Sequence, residues 1–198
     1  MYMKSENRLR ALGAKKHRDW LIQSIHAHLA PVLIKQGFEV APLVHGGPVD
    51  REFELSFPSW GRLIRVRESG VDLVEIQLAT HRRAAFRINV GVAPRKGLMT
   101  PAGHRSAEDV PVHSLNEYFE THARPWLRPA LRALRLEPLG AWFSAWHWPH
   151  RSPTQDDYER LAFRVAGFVP ELELALRESR PGPHVRRVLI PRPMPAAK

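Results

Sequence analysis

The sequence predicts an α+β fold, with an antiparallel sheet of about five strands and helices packed on one of its faces. Three observations predict it. Between Leu63 and Val92, three neighbouring runs alternate apolar and polar residues with period two: Leu63–Glu68, Leu73–Ala79 and Ala85–Val92. Short turn segments, Ser69–Asp72 and Thr80–Ala84, separate them, as a meander of adjacent antiparallel strands requires. Helical periodicity lies before Gly37 and after Ser152, outside the meander.

In chain order, residues 1–14 are polar and are expected as a loosely ordered arm or a short helix over Ser5–Leu12. A longer helix is expected from Lys15 or Asp19 to Gln36. Trp20, Leu21, Ile25, Leu29, Val32 and Leu33 fall near one face of it, and Gly37 supplies a stop. Pro31 removes a backbone donor and would kink the last turn. Phe38–Leu43 reads as a first strand. Glu52–Phe57 reads as a second, alternating Phe53, Leu55 and Phe57 against Glu52, Glu54 and Ser56 until Pro58.

Within the meander, Ile64 and Val66 are assigned to one side of the first run and Leu63, Arg65 and Arg67 to the other. Val74, Ile76 and Leu78 oppose Glu75 and Gln77; Phe86, Ile88, Val90 and Val92 oppose Arg87, Asn89 and Gly91. Side chains of a strand point alternately to opposite faces, so the Ile64/Val74/Phe86 side is read as buried. The other face would carry Arg65, Arg67, Glu75, Gln77, Arg87 and Asn89, either wet or covered by a partner.

After Val92 the periodicity is lost, and Pro94, Gly97, Pro101 and Gly103 mark a long loop to Pro111, a length that is often functional. Ser114 and Glu117 have capping-box spacing and predict a helix to about Ala123. Over 125–137, Pro125 and Pro129 interrupt any long helix, although Pro129 suits the first turn of a short one carrying Leu131 and Leu134. Ser152 is expected to cap, and Pro153 to open, a helix carrying Tyr158, Leu161, Ala162, Val165 and Phe168. Gly167 and Pro170 break it before Glu171–Glu178. From Arg180 onward, five prolines and the short apolar run Val188–Ile190 predict an extended segment. The chain is thus divided into a basic arm (1–14), one α+β domain (15–179) and a basic, proline-rich tail (180–198).

Charge is unevenly distributed. The net charge is +10, yet residues 37–176 carry seventeen basic and seventeen acidic side chains. Residues 1–36 hold seven Lys or Arg against two acids, and residues 177–198 hold six against one. Terminal positive charge of this kind suits contact with a polyanion or an acidic partner, through Arg8, Arg10, Lys15, Lys16, Arg186 and Arg187. A GC-rich coding sequence gives the same excess, since arginine supplies 24 of the 30 basic residues. The absence of cysteine excludes disulfides, thiolate zinc sites and a cysteine nucleophile. No apolar run has the length of a bilayer span or the core of a signal peptide, so a cytoplasmic location is expected.

The element order, with Gly37-Phe38 after the first helix, the strand Phe86-Arg87-Ile88-Asn89-Val90-Gly91-Val92 and the later Trp142-Phe143, resembles the bacterial family called domain of unknown function 4304. The resemblance would cover roughly residues 20–178 and implies the same fold class. That family offers no activity and no catalytic residues to carry over.

Candidate chemistry is sparse. Trp142, Phe143, Trp146, His147, Trp148 and His150 form the densest aromatic cluster, which reads either as a base-stacking or protein-anchoring edge or as core, with Trp142 and Trp146 one helical turn apart. His147 and His150 could share a metal only with a third ligand that the sequence does not nominate, and no cofactor is expected. Arg65, Arg67 and Arg87 could clamp phosphates or carboxylates, or pair across strands with acids such as Glu75. Asp156, Asp157 and Glu159 suit the first turn of a helix. No nucleophile elbow, phosphate loop, His-Glu zinc motif or dinucleotide fingerprint occurs. The leading expectation is a non-catalytic binding protein, immunity- or adaptor-like, that engages another protein through the polar sheet face or the Trp-rich edge. The alternatives are a nucleic-acid-binding protein using its basic segments and an uncharacterised enzyme.

Overall fold

The computed structural model describes residues 2–41, 58–80, 83–100, 103–123, 142–145 and 151–190, with residues 2–12 and Thr100 described as backbone only. The fold is α+β, as expected. Among the described residues one antiparallel sheet holds seven strands, β1 (Glu39–Val40), β2 (Arg62–Arg67), β3 (Gly70–Leu78), β4 (Ala85–Ala93), β7 (Glu117–Thr121), β8 (Phe143–Ser144) and β9 (Val185–Leu189). Their order across the sheet is β1-β2-β3-β4-β7-β9, and β8 also pairs with β4. A separate hairpin is formed by β5 (Leu98–Thr100) and β6 (Gly103–Arg105). The expected strand at 52–57 and the segment 125–137 lie outside the described residues.

Four helices complete the described chain: α1 (Tyr2–His28), α2 (Ala30–Lys35), α3 (Gln155–Ala166) and α4 (Val169–Glu178). The arm expected over residues 1–14 is not separate, because α1 runs through it without a break. The chain breaks at Leu29, where Pro31 occupies the first turn of α2 and supplies no amide hydrogen. The α2 end is a Schellman motif. Gly37, at φ +86°, donates to Ile34 O and Phe38 donates to Leu33 O, which turns the chain into β1. The α3 cap falls at Thr154 rather than Ser152, because Asp157 is the carboxylate that reaches back, accepting from Thr154 N at 2.8 Å.

One face of the sheet carries the helices. Leu63, Val74, Ile76, Phe86, Ile88, Val90, Phe119 and Val185 bury there with Leu21, Ile25, Leu29, Tyr158, Val165, Leu172 and Leu176. This corrects the side assigned to β2. Leu63 stands opposite Val74, so Leu63, Arg65 and Arg67 share the helix side, while Ile64 faces the other way, opposite Leu73. Val66 lies 55% exposed.

The opposite face is covered in part. The long loop expected from Val92 to Pro111 holds the β5–β6 hairpin and a 3₁₀ turn at Ala107–Asp109, a second 3₁₀ turn follows at Val112–Ser114, and the two turns lie over part of this face. Ala107, Val110, Val112 and Leu115 bury against Val71, Leu73 and Ala93. Gly91 makes room for them: a Cβ there would lie 2.4 Å from Leu115 Cδ1. The helix expected from Ser114 to Ala123 is also corrected. Ser114 closes a 3₁₀ turn, and Tyr118, Phe119 and Thr121, all strand-forming residues, extend as β7. The Thr121 hydroxyl accepts from Ile88 N at 3.0 Å, filling the gap on β4 between its rungs to β7 and to β8.

The C-terminal segment is extended as expected, but over Val185–Leu189 it is a strand of the sheet, with Val185 buried. Among the described residues, no helix is long and apolar enough to cross a membrane.

The corrected register makes a direct prediction. Leu63→Asp should cost several kcal/mol, because it buries an unpaired charge. Val66→Asp, three positions along the same strand, should cost no more than about 1 kcal/mol. Melting temperatures of the two variants measure the difference, and a larger loss for Val66→Asp would show that β2 faces the other way.

Candidate functional site

Arg65 and Arg67, expected on a polar face, point into the end of the helix layer. Arg65 donates to Asp72 Oδ2 at 3.0 and 2.7 Å, to Glu173 at 2.9 and 3.0 Å, and to Gln36 O at 2.9 Å. Its guanidinium carbon also lies 4.3 Å from the centre of the Phe38 ring. Arg67 pairs with the second Asp72 oxygen and donates to Leu176 O at 3.0 Å. Asp72 is wholly buried, so these arginines neutralise a carboxylate that the sheet has taken out of water. They tie α4 to β2 and β3. Their charges are engaged within the chain, which leaves little with which to clamp an external anion.

On the opposite face, five strands contribute one polar residue each to a single row. Arg62 stands opposite Glu75, Glu75 opposite Asn89, Asn89 opposite Glu120, and Glu120 opposite Arg186. Arg62 Nε lies 3.7 Å from Glu75 Oε1; its other nitrogens donate to Ala41 O at 3.2 Å and Val110 O at 3.1 Å. Glu75 accepts from Val112 N at 3.0 Å, and so anchors the covering segment. Burial pushes the Glu75 carboxyl up to about 7, against the pull of the Val112 amide and the Arg62 guanidinium. Burial lowers Arg62 as well.

Arg87 joins the row from the side. It donates to Gln77 Oε1 at 2.7 Å and to Glu120 Oε2 at 3.4 Å, and its guanidinium lies 5.0 Å from the Trp142 ring centre. Arg186 completes the Glu120 pair. Asn89 Oδ1 is buried without a hydrogen-bond partner. The row is built as an internal polar seam, with the carboxylates buried and the cations consumed by them.

The basic segments behave differently from one another. Arg187 pairs with Glu117 at 2.6 Å, Arg177 with Glu173 at 3.0 Å and Arg180 with Glu178 at 3.3 Å. Together with Arg186, every described arginine from 177 onward therefore meets a carboxylate. On α1, Lys15 and Lys16 are exposed, and among the described residues neither makes an ion pair. Lys16 instead lies over the Trp20 ring, with its ammonium 4.5 Å from the centre. Arg8 and Arg10 lie on the same helix, upstream.

Trp146, His147, Trp148 and His150 lie outside the described residues. The helical pairing of Trp142 with Trp146 is not supported at its first end, since Phe143–Ser144 is a strand on β4 and Phe143 packs against Phe86 at 5.4 Å. Asp157 serves the α3 cap and accepts from Arg151 and Arg160 at 2.8 and 2.6 Å. Among the described residues, no group of three or more His, Asp or Glu side chains is placed to hold a metal ion.

Sequence reading placed Glu75, Gln77, Arg87 and Asn89 on one polar face but missed Arg62, Glu120 and Arg186 and the burial of the row, which appear only once the register and the outer strands are known. Glu75 gives the seam a pH signature. Its carboxyl titrates near 4.5 when unperturbed and near 7 in the fold, so the folded protein holds the proton more tightly. The associated stability is complete below about 4.5 and is lost as pH rises through about 7. Glu75→Gln keeps an acceptor for Val112 N and abolishes the titration. Urea midpoints measured from about pH 5 to about pH 8 should fall less steeply in this variant than in the parent, whereas parallel curves would mean that Glu75 is not the group responsible. No family model, curated protein or solved structure matches the chain.

Proposed function

We propose that this is a binding protein for nucleic acid, and that its contact surface is the basic stretch of α1 from Lys4 to Lys16. One observation carries the reading. Arg177, Arg180, Arg186 and Arg187 each pair with one of the chain's own carboxylates, whereas the exposed Lys15 and Lys16 of α1 make no ion pair among the described residues. Six Lys or Arg residues, Lys4, Arg8, Arg10, Lys15, Lys16 and Arg18, precede Leu21, the first core residue among the described side chains of α1, against the two acids Glu6 and Asp19. Exposed cations such as Lys15 and Lys16 on a regular helix attract phosphates by charge and by release of condensed counterions, without needing a base-specific contact.

The competing reading, a protein partner seated on the polar sheet face, has less surface to draw on, since Ala107, Val110, Val112 and Leu115 pack over the Val71/Leu73/Ala93 part of that face. The Trp-rich edge that would remain to it lies for the most part outside the described residues.

The test is fluorescence anisotropy with labelled oligonucleotides, using the parent and a variant with Lys4, Arg8, Arg10, Lys15 and Lys16 all changed to Gln. The parent should bind at about 50 mM salt and lose several orders of magnitude in affinity by about 200 mM. The variant should bind much more weakly, with a shallower salt dependence, while circular dichroism shows the helix content kept. Binding by the variant at the parent's affinity would remove α1 as the site, and no binding by the parent would remove the reading itself.

A further inference from the structure

We propose that the ligand of this surface is single-stranded nucleic acid, with Trp20 as the residue on which a base stacks; the proposal rests on the nucleic-acid reading of α1. Trp20 stands where the basic stretch meets the body of the protein. Its ring is partly buried and packs against the helix-side core, which fixes its orientation. Lys16, one helical turn earlier, lies over the ring at 4.5 Å. His17 approaches the same ring edge-on at 5.5 Å and 77°, and its own ring lies 6.0 Å from that of Tyr158.

A tryptophan held in place by the core and topped by a flexible lysine offers a π-face that a ligand can take over. A lysine stem is long and its ammonium strongly hydrated, so it can leave the ring for a phosphate at small cost. A nucleobase can then occupy the ring face while Lys15 and Lys16 hold the adjoining phosphates. Stacking of this kind needs an unpaired, unstacked base, which a duplex does not present and a single strand does. It reads any base, because every base has a π-face.

The test compares Kd values for oligo(dT), oligo(rU) and a duplex of the same length, using the parent, Trp20→Leu and Trp20→Phe. The parent should prefer the single strands. Trp20→Leu, which keeps an apolar side chain for the core, should weaken single-strand binding about five- to a hundredfold and leave duplex binding unchanged. Trp20→Phe, which keeps a ring, should retain most of the affinity. Loss on oligo(dT) but not on oligo(rU), or the reverse, assigns the ligand to DNA or to RNA.

Equal parent affinity for single strand and duplex, or equal losses on both in Trp20→Leu, would overturn the stacking proposal and leave the nucleic-acid reading of α1 standing. Failure of the parent to bind any of the three probes would overturn both. Melting temperatures of the two Trp20 variants separate a folding defect from a lost contact, and the ratio of single-strand to duplex affinity is a readout that partial unfolding alone would not change.

Discussion

The structure depends on the double-sided burial of β3. Of its nine residues only Gln77 is not buried, so two carboxylates of this strand, Asp72 and Glu75, are taken out of water on opposite faces. A buried charge without a partner costs several kcal/mol, so each must be met by a group delivered to the right place. On the helix side Arg65 and Arg67 from β2 meet Asp72, and Glu173 on α4 shares Arg65. On the other side Arg62 and the Val112 amide meet Glu75. The requirement is geometric as well as electrostatic. A one-residue slip of β2 would swing all three arginines to the wrong faces, leave both carboxylates uncompensated and bring Leu63 out of the core.

The same constraint explains why so basic a chain has so little free charge on its sheet. A cation on a buried face has to be matched within the fold, and the seam Arg62–Glu75–Asn89–Glu120–Arg186 matches them in series across five strands. Arg87 extends the seam laterally through Gln77 and Glu120. The seventeen acids of residues 37–176 therefore do not simply cancel the seventeen bases of that stretch. Glu117, Glu120 and Glu173 also draw in Arg187, Arg186 and Arg177 from beyond it. The excess charge counted at the C-terminal end is partly used up inside the structure, whereas Lys15 and Lys16 on α1 keep theirs exposed.

Much of the fold was legible because it rests on periodicity. The alternation in Leu73–Leu78 and Phe86–Val90 places the same residues in the core that the structure does, and Pro31 and Gly37 mark the break and the end they were read to mark. In β2 the pattern misled because both faces are buried. Leu63 and Ile64 are adjacent and both apolar, so either could have faced the helices, and the two arginines resemble a wet face until Asp72 and Glu173 are brought to them. Ser114 and Glu117 have the spacing of a cap, yet a four-residue motif is weaker than the cross-strand demands on Phe119 and Thr121. The covering segment gave no signal, since Ala107, Val110, Val112 and Leu115 follow neither a strand nor a helix period and bury only because Gly91 leaves them a place. Of the candidate site, the charge of α1 was legible as composition. The pairing of Arg177, Arg186 and Arg187 with acids of the domain was not, because it depends on pairs as much as seventy residues apart.

The continuity of α1 joins the core to the proposed surface. Leu21, Ile25 and Leu29 bury on the helix side of the sheet, and the same helix carries Trp20, Lys16 and Lys15 immediately before them. Backbone hydrogen bonding along the helix fixes the angular positions of these residues relative to the buried face. Trp20 therefore lies at the flank of the packed stripe and the two lysines on its solvent side. A ligand meeting Lys15, Lys16 and Trp20 finds a backbone that folding has already ordered, and what remains to be ordered is two lysine side chains. Contacts made on an ordered backbone lose less affinity to entropy than contacts from an unstructured basic tail. An unstructured tail would bind by charge alone; a helix seated on the core adds a fixed aromatic face to that charge, and this is the physical basis for expecting the surface to tell a single strand from a duplex.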